Sequence, residues 1–356
     1  MRTRSLSVVA LAVLVAVAGA GVALSRVERA TPAVPTALAS MPAETLTASV
    51  TDWAGLRERL AGAGGQAALL DRAYESDASA GSVLGDMAAV MERRYGWSVL
   101  DARWEGLAQS RQGAAVIVQL SPEVDLDMVR ERLGELGYRE PFEADGVWRG
   151  GTDLVATIDS TLTPLMAHAA VLDDSARVVF SDTAKYAART ARVVEGPVAA
   201  LGQQEPVAAV ADQLEGAVAA VVHAGRRGCQ VMGFGRASSG DRALARQRVA
   251  AVGGLQRFAA VGMGLAPAGD AGLRRAPLVV AMRFVNTGSV AAEAERRAAL
   301  AIGEAPGQGG TYGSRFSVAA AEQRGGDVVL RLRPREADAQ LLSDLNAGQL
   351  LFASCG

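Results

Sequence analysis

Lysine occurs once in these 356 residues, at Lys185, histidine twice, at His168 and His223, and cysteine twice, at Cys229 and Cys355; aromatic residues make up only 4%. Each shortage removes a class of chemistry. A dedicated zinc site needs three or four N, S or O ligands brought together, often from short spacings. Neither histidine has a second ligand at helical or turn spacing, and HExxH is absent. A phosphate-binding loop needs its lysine directly after the glycines. Lys185 follows no such loop, and the glycine runs at 62–65, 233–240 and 307–313 match neither GxxxxGK[ST] nor GxGxxG. No nucleotide, cofactor or metal is therefore expected.

The G-x-S-x-G elbow of serine hydrolases is missing as well. Gly235–Gly240 (GRASSG) departs from it by one residue and reads instead as a turn with a helix cap at Ser239 or Asp241. The carboxylates Glu123, Asp125 and Asp127 sit at the start of an expected helix, where negative charge offsets exposed amide dipoles. No catalytic residue can be named, although carboxylates from distant segments could still converge, as in a hydrolase. Net charge is −2, and four Arg against one Glu in residues 1–30 leave the remainder more acidic still. That lacks the basic stripe a nucleic acid requires and the polybasic patch that holds a protein on anionic lipid.

What is present begins with twenty uncharged residues, Ser5 to Leu24 (SLSVVALAVLVAVAGAGVAL), preceded by Arg2 and Arg4 and closed by Arg26. Twenty residues at a rise of about 1.5 Å match a hydrocarbon core of roughly 30 Å. This predicts a single-pass membrane anchor through residues 5–24 with the rest of the chain outside the cell membrane. Ala18-Gly19-Ala20 also fits a signal-peptidase site, so secretion after cleavage near Ala20 is the alternative. The first cysteine is Cys229, leaving no thiol for a lipoprotein anchor. In an oxidising compartment an even cysteine count favours pairing of Cys229 with Cys355, against the alternative of two buried thiols.

Residues 31–44, rich in Pro, Ala and Thr, read as a linker after the segment 1–30, which would be a signal anchor or signal peptide. Beyond it the pattern is α+β: two similar antiparallel-sheet-plus-helix domains, 45–196 and 206–356, divided in the Pro-containing stretch 195–206. In the first, a strand at 45–50 leads into a helix with Trp53, Leu56 and Leu60 on one face. A second helix is expected over 82–95 and a buried strand over 114–120, with a helix starting at Ser121-Pro122. Hairpins are expected at Asp145-Gly146 and Asp173-Asp174. In the second domain, a strand over 278–285, a helix over 289–302 and a hairpin at Gly325-Gly326 repeat that order, which suggests duplication. Trp53, Trp97, Trp104 and Trp148 all fall in the first domain, making them candidates for a groove. His223, Arg226 and Arg227, at the end of the strand AAVVH, are a candidate anion pocket.

At PAETLTASVTDWAGLR (42–57), HAGRRGCQ (223–230) and GQLLFASC (348–355) the chain resembles a group of exported actinobacterial proteins without assigned activity, some of them lipoproteins. The resemblance implies an envelope location and adds support for the pairing of Cys229 with Cys355, but it brings no catalytic residue. The function expected is non-catalytic binding or interaction in the cell envelope, with an envelope protein or a lipid as partner. The alternatives are a small-molecule or lipid-binding module with an interdomain groove lined by the abundant Ala and Val, and a hydrolase with dispersed carboxylates.

Overall fold

Runs such as AAVIVQL and LVVAMRF are apolar at successive positions, the signature of strands covered on both faces. They are central strands of an eleven-stranded antiparallel sheet in a computed structural model that describes residues 32–355 except 61, 63, 144, 145, 267–271 and 338. The expected membrane segment 5–24 lies outside the described residues. Among the described residues no helix is long and apolar enough to cross a membrane.

The strands are β1 (Thr47–Thr51), β2 (Ala102–Gln109), β3 (Ala114–Leu120), β4 (Trp148–Arg149), β5 (His168–Leu172), β6 (Arg177–Ser181), β7 (Ala219–Ala224), β8 (Phe258–Leu265), β9 (Leu278–Phe284), β10 (Phe316–Arg324) and β11 (Asp327–Pro334). Their order is β10-β11-β9-β8-β7-β1-β2-β3-β6-β5-β4. The helices that cover the sheet are α1 (Ala33–Leu38), α2 (Trp53–Arg59), α3 (Gln66–Glu75), α4 (Leu84–Val90), α5 (Leu126–Glu135), α6 (Thr152–Ile158), α7 (Ala184–Val194), α8 (Glu205–Gln213), α9 (Arg226–Met232), α10 (Ser239–Ala251), α11 (Val290–Leu300) and α12 (Leu341–Ala347).

The α+β class holds, but the expected separation into two domains does not. β1 pairs with β7 over five residues, from Thr47 opposite His223 to Thr51 opposite Ala219, so the halves are joined by sheet hydrogen bonds. The chain from Pro32 onward is one compact unit. Each half nevertheless lays its strands in the same order: β1, β2, β3, β6, β5 in one and β7, β8, β9, β11, β10 in the other. A bulge falls at Ala102/Trp104 in β2 and at Phe258/Ala260 in β8. The hairpin at Gly325-Gly326 is thus the counterpart of the one at Asp173-Asp174, and not of Asp145-Gly146. Asp145 itself lies outside the described residues, and the segments flanking it meet in one isolated bridge, Arg139 to Arg149.

Residues 31–44 are not a linker, at least from Pro32 on. Alanine is the best helix former and proline is tolerated in a first turn. α1 forms there and buries Val34, Ala37 and Leu38 against β1 and β2. Gly106 makes this possible, since a Cβ on it would stand 2.6 Å from the Met41 methyl. Gly262 does the same service under α8, where a Cβ would meet Val210 at 2.6 Å. On this face the strands present Ala48, Ala108, Ala115, Ala170, Ala220, Ala260 and Ala281, small enough for α1, α7 and α8 to lie close. The alanine excess therefore lines a packed layer and no interdomain cleft.

The other face carries the larger side chains, including Phe180, Met263, Met282 and Leu330, under the remaining helices. The helix expected from Ser121-Pro122 begins later, at Leu126. Ser121 to Val124 form a turn, and Asp125 is the cap, accepting the Asp127 amide at 3.0 Å. α4 runs into a wide turn, Met91–Tyr95, that completes the helix expected over 82–95.

Candidate functional site

The four tryptophans do not form a groove; each is between 0 and 5% exposed. Trp53 donates its indole N–H to Glu105 at 3.1 Å, and Trp97 stacks on Phe180. Trp148 belongs to the same buried core cluster as Leu133 and Val155, while Trp104 sits on the opposite face of the sheet with the Arg177 guanidinium 5.4 Å from its ring. The reason is the length of the connection after β1. Residues 52–101 fold as α2, α3 and α4, and their Trp53, Tyr95 and Trp97 fill the space over that half of the sheet. The corresponding connection after β7, residues 225–257, holds only α9 and α10 and no tryptophan.

Space is left where that shorter connection crosses the sheet. A cavity of about 800 Å³ opens between α9, α10, the start of β8 and the C-terminal segment 351–355. Its lining includes Phe234, Ala245, Val249, Phe258, Leu351 and the two cysteines, with four arginines, Arg226, Arg242, Arg246 and Arg257, and no carboxylate among the described residues. Small-molecule sites commonly have this character, mostly apolar with a few polar groups and roughly 300–1,000 Å³ in volume. A second hollow of about 910 Å³ lies across α9, lined by Arg227, Arg236, Gln308 and Gln349 among others. Cys229, Gln230, Gly233 and Gly235 border both.

One wall of the apolar cavity is built by the C-terminal segment, and two devices hold that segment. Cys229 and Cys355 are joined in a disulfide, with Cα atoms 5.3 Å apart. Arg297, wholly buried on α11, donates to the carbonyls of Phe352 at 2.8 Å and Ser354 at 3.0 Å. It pairs with the equally buried Glu293 at 3.0 Å and lies over the rings of Phe258 and Phe284. Burial lowers its pKa to about 10, which leaves it charged at neutral pH.

The expected anion pocket is only partly assembled. Arg226 and Arg227 are exposed and, with Arg111, line a recess of about 330 Å³ beside Glu44 and Gly225. His223 takes no part. It is 3% exposed in the middle of the sheet, with Nδ1 3.1 Å from the Thr47 hydroxyl. Burial, helped by the charge of Arg227, pushes its pKa down to about 4, against a favourable effect of Asn346. A buried imidazole is costly to protonate, so the strand position selects the neutral form.

That burial has a measurable consequence. Below about pH 6.5 the unfolded chain takes up a proton on His223 that the folded chain refuses, so the stability present at higher pH is lost progressively towards pH 4. The wild type should lose about 2 kcal/mol more than a His223→Gln variant between pH 7 and pH 4.5. Urea midpoints at each pH measure it, and parallel profiles for the two proteins would contradict it.

Three further carboxylates, Glu105, Asp77 and Asp52, are raised in pKa chiefly by desolvation, but each already has a structural task. Glu105 accepts from Trp53, Val83 and Leu84, capping α4. Asp77 accepts the amides of Leu342 and Ser343 and the Ser343 hydroxyl, fixing the start of α12. Asp52 caps α2 through the Gly55 amide. None of the three borders the cavities above. Among the described residues no group of three or more His, Cys, Asp or Glu could hold a metal.

The arginines on α10 were the signal that sequence reading passed over: Arg242 and Arg246, with Ala245 and Val249, share one helix face at i, i+3 and i+4 spacing. The helix itself starts after Ser238, whose hydroxyl accepts the Asp241 amide, and not after Ser239 or Asp241.

No protein family and no curated protein matches the chain. Among solved structures, crystal form III of TP0453 is similar over 89% of this chain and 98% of its own, at 9% identity and a TM-score of 0.43. Crystal form I of TP0453 gives 9% identity and a TM-score of 0.41, over 89% and 99%. This likeness concerns the course of the chain and bears on none of the residues above.

Proposed function

We propose that this is a non-catalytic binding protein of the cell envelope, held to the membrane through residues 5–24 with its folded part outside, and that it takes a small apolar ligand. The binding place differs from the interdomain groove expected from composition: it is the cavity between α9, α10 and the C-terminal segment. The carrying observation is an apolar recess of about 800 Å³ with no carboxylate in its lining among the described residues. An envelope location is supported by the charge-free leader, by the likeness of segments 42–57, 223–230 and 348–355 to exported proteins, and by the disulfide, a bond that persists in oxidising compartments. A hydrolase with dispersed carboxylates is less well supported, because Glu105, Asp77 and Asp52 already serve as caps and Glu293 and Asp327 are held in ion pairs.

The finer reading of the fold is that the halves descend from one duplicated unit. In its favour stand the common strand order, the bulges at Ala102/Trp104 and Phe258/Ala260, and the helix-facing Gly106 and Gly262. On that reading the second copy became the ligand-binding one when its β7-to-β8 connection was left without the aromatic filling of the first.

A neutral apolar dye tests the cavity. N-phenylnaphthylamine added to the full chain in amphipol should bind with one-to-one stoichiometry and brighten, and Val249→Trp, which fills the recess from a half-exposed position, should abolish this without changing the circular dichroism. Dye binding that is unaffected by Val249→Trp, or absent in the wild type, would refute the assignment.

A further inference from the structure

Resting on the ligand-binding reading above, we infer that the cavity beside α10 is a site for a single-chain amphiphile with an anionic head group, a fatty-acid carboxylate. The acyl chain lies along Ala245, Val249, Phe258 and Leu351, and the head group sits among the arginines at the mouth.

The charge of the lining is one-sided. Four cations line the cavity and, among the described residues, no acid does. Some arginines elsewhere are paired with acids: Arg248, on the same helix, holds Glu304 at 2.7 Å, Arg296 holds Glu293, and Arg189 holds Glu44. The side chains of Arg226, Arg246 and Arg257 have no such partner among the described residues, and Arg242 is engaged only with the Ala237 carbonyl. Like charges gathered beside an apolar wall repel one another, and a bound carboxylate removes that repulsion while accepting charge-assisted hydrogen bonds.

The helix supplies an independent observation. α10 has thirteen residues, yet Ala245 is its only buried one. A helix on the surface of a globular protein normally buries an apolar stripe. Here the face bearing Ala245 and Val249 meets the core only in part and also lines the cavity, so an acyl chain would complete its packing. The volume is sufficient for one chain with its head group. The floor is firm, since the disulfide and Arg297 hold the segment that carries Leu351.

The test compares laurate with dodecanol, which share a chain and differ in the head group, by equilibrium dialysis against the full chain in amphipol. Laurate should bind at least tenfold more tightly than dodecanol. Lengthening the acid from decanoate should tighten binding about fourfold per methylene. The double variant Arg246→Gln/Arg257→Gln changes two exposed residues, so its melting temperature should match the wild type. It should weaken laurate at least tenfold and dodecanol less than twofold. Equal affinity for acid and alcohol, or laurate binding unchanged in the double variant, would overturn the inference. Binding of N-phenylnaphthylamine without laurate would overturn it too while leaving the apolar site standing, whereas failure of both would remove the underlying reading as well.

Discussion

Arg297→Met should destabilise the protein by about 3–5 kcal/mol, the range for removing one partner of a buried ion pair. Arg297 and Glu293 are both fully buried, so the substitution leaves the Glu293 carboxylate with only the part-exposed Arg296, at 3.2 Å, as its counter-ion. It also strips donors from the carbonyls of Phe352, Ser354 and Gln256. Methionine fills much of the space and keeps contact with Phe258 and Phe284, so the loss is electrostatic and not a cavity effect. The double variant Glu293→Gln/Arg297→Met should recover part of the loss, because no buried charge is then left unpaired. Urea unfolding of the two variants and the wild type measures this; a double variant as unstable as the single one would mean that the carbonyl contacts, and not the ion pair, dominate.

Cys229→Ser/Cys355→Ser should cost about 2–4 kcal/mol, since the bridge closes a long loop in the unfolded chain. The partners are 126 residues apart. The chain-entropy limit for such a loop is about 5 kcal/mol, and native strain or residual structure in the unfolded chain lowers what is realised. A reducing agent should lower the urea midpoint of the wild type to that of the double serine variant and leave the variant itself unmoved. An unreduced midpoint equal to that of the variant would show that the bridge contributes nothing to stability. Because Arg297 and the disulfide restrain the same segment, 350–355, their losses should not add: once one hold is released the segment frays, and the other has less left to protect.

Both predictions concern the segment that walls the apolar cavity, which links stability to binding. Sequence reading placed Cys229 and Cys355 together from their number and the export signal. Arg297 could not be recognised in the same way. On α11 the motif Glu293-x-x-x-Arg297 has the i, i+4 spacing of an ordinary exposed pair, and only the C-terminal segment crossing over it makes the pair a buried one. His223 is a similar case. At a strand end before Gly225 it reads as a solvent-facing residue, but β1 pairs alongside β7 and encloses it.

Local signals carried well where the physics is local. The strands over 114–120 and 278–285, the helix at 289–302 and the turns at Asp173-Asp174 and Gly325-Gly326 follow from side-chain periodicity and turn chemistry, and each is present. The placing of large and small residues did not carry. Four tryptophans and a surplus of alanine suggested a groove and its lining, whereas the tryptophans fill the core of the first half and the alanines let helices approach the sheet.

From the residues alone came the expectation of an export leader, the α+β pattern, the repeated order of elements and the thiol pair, because periodicity, charge and count are properties of the chain itself. The joining of the halves through β1 and β7, the burial of His223 and Arg297, and the position of the cavity were decided by tertiary structure. Each depends on which distant segments come to lie on one another, and on how much of the sheet a connection is long enough to cover.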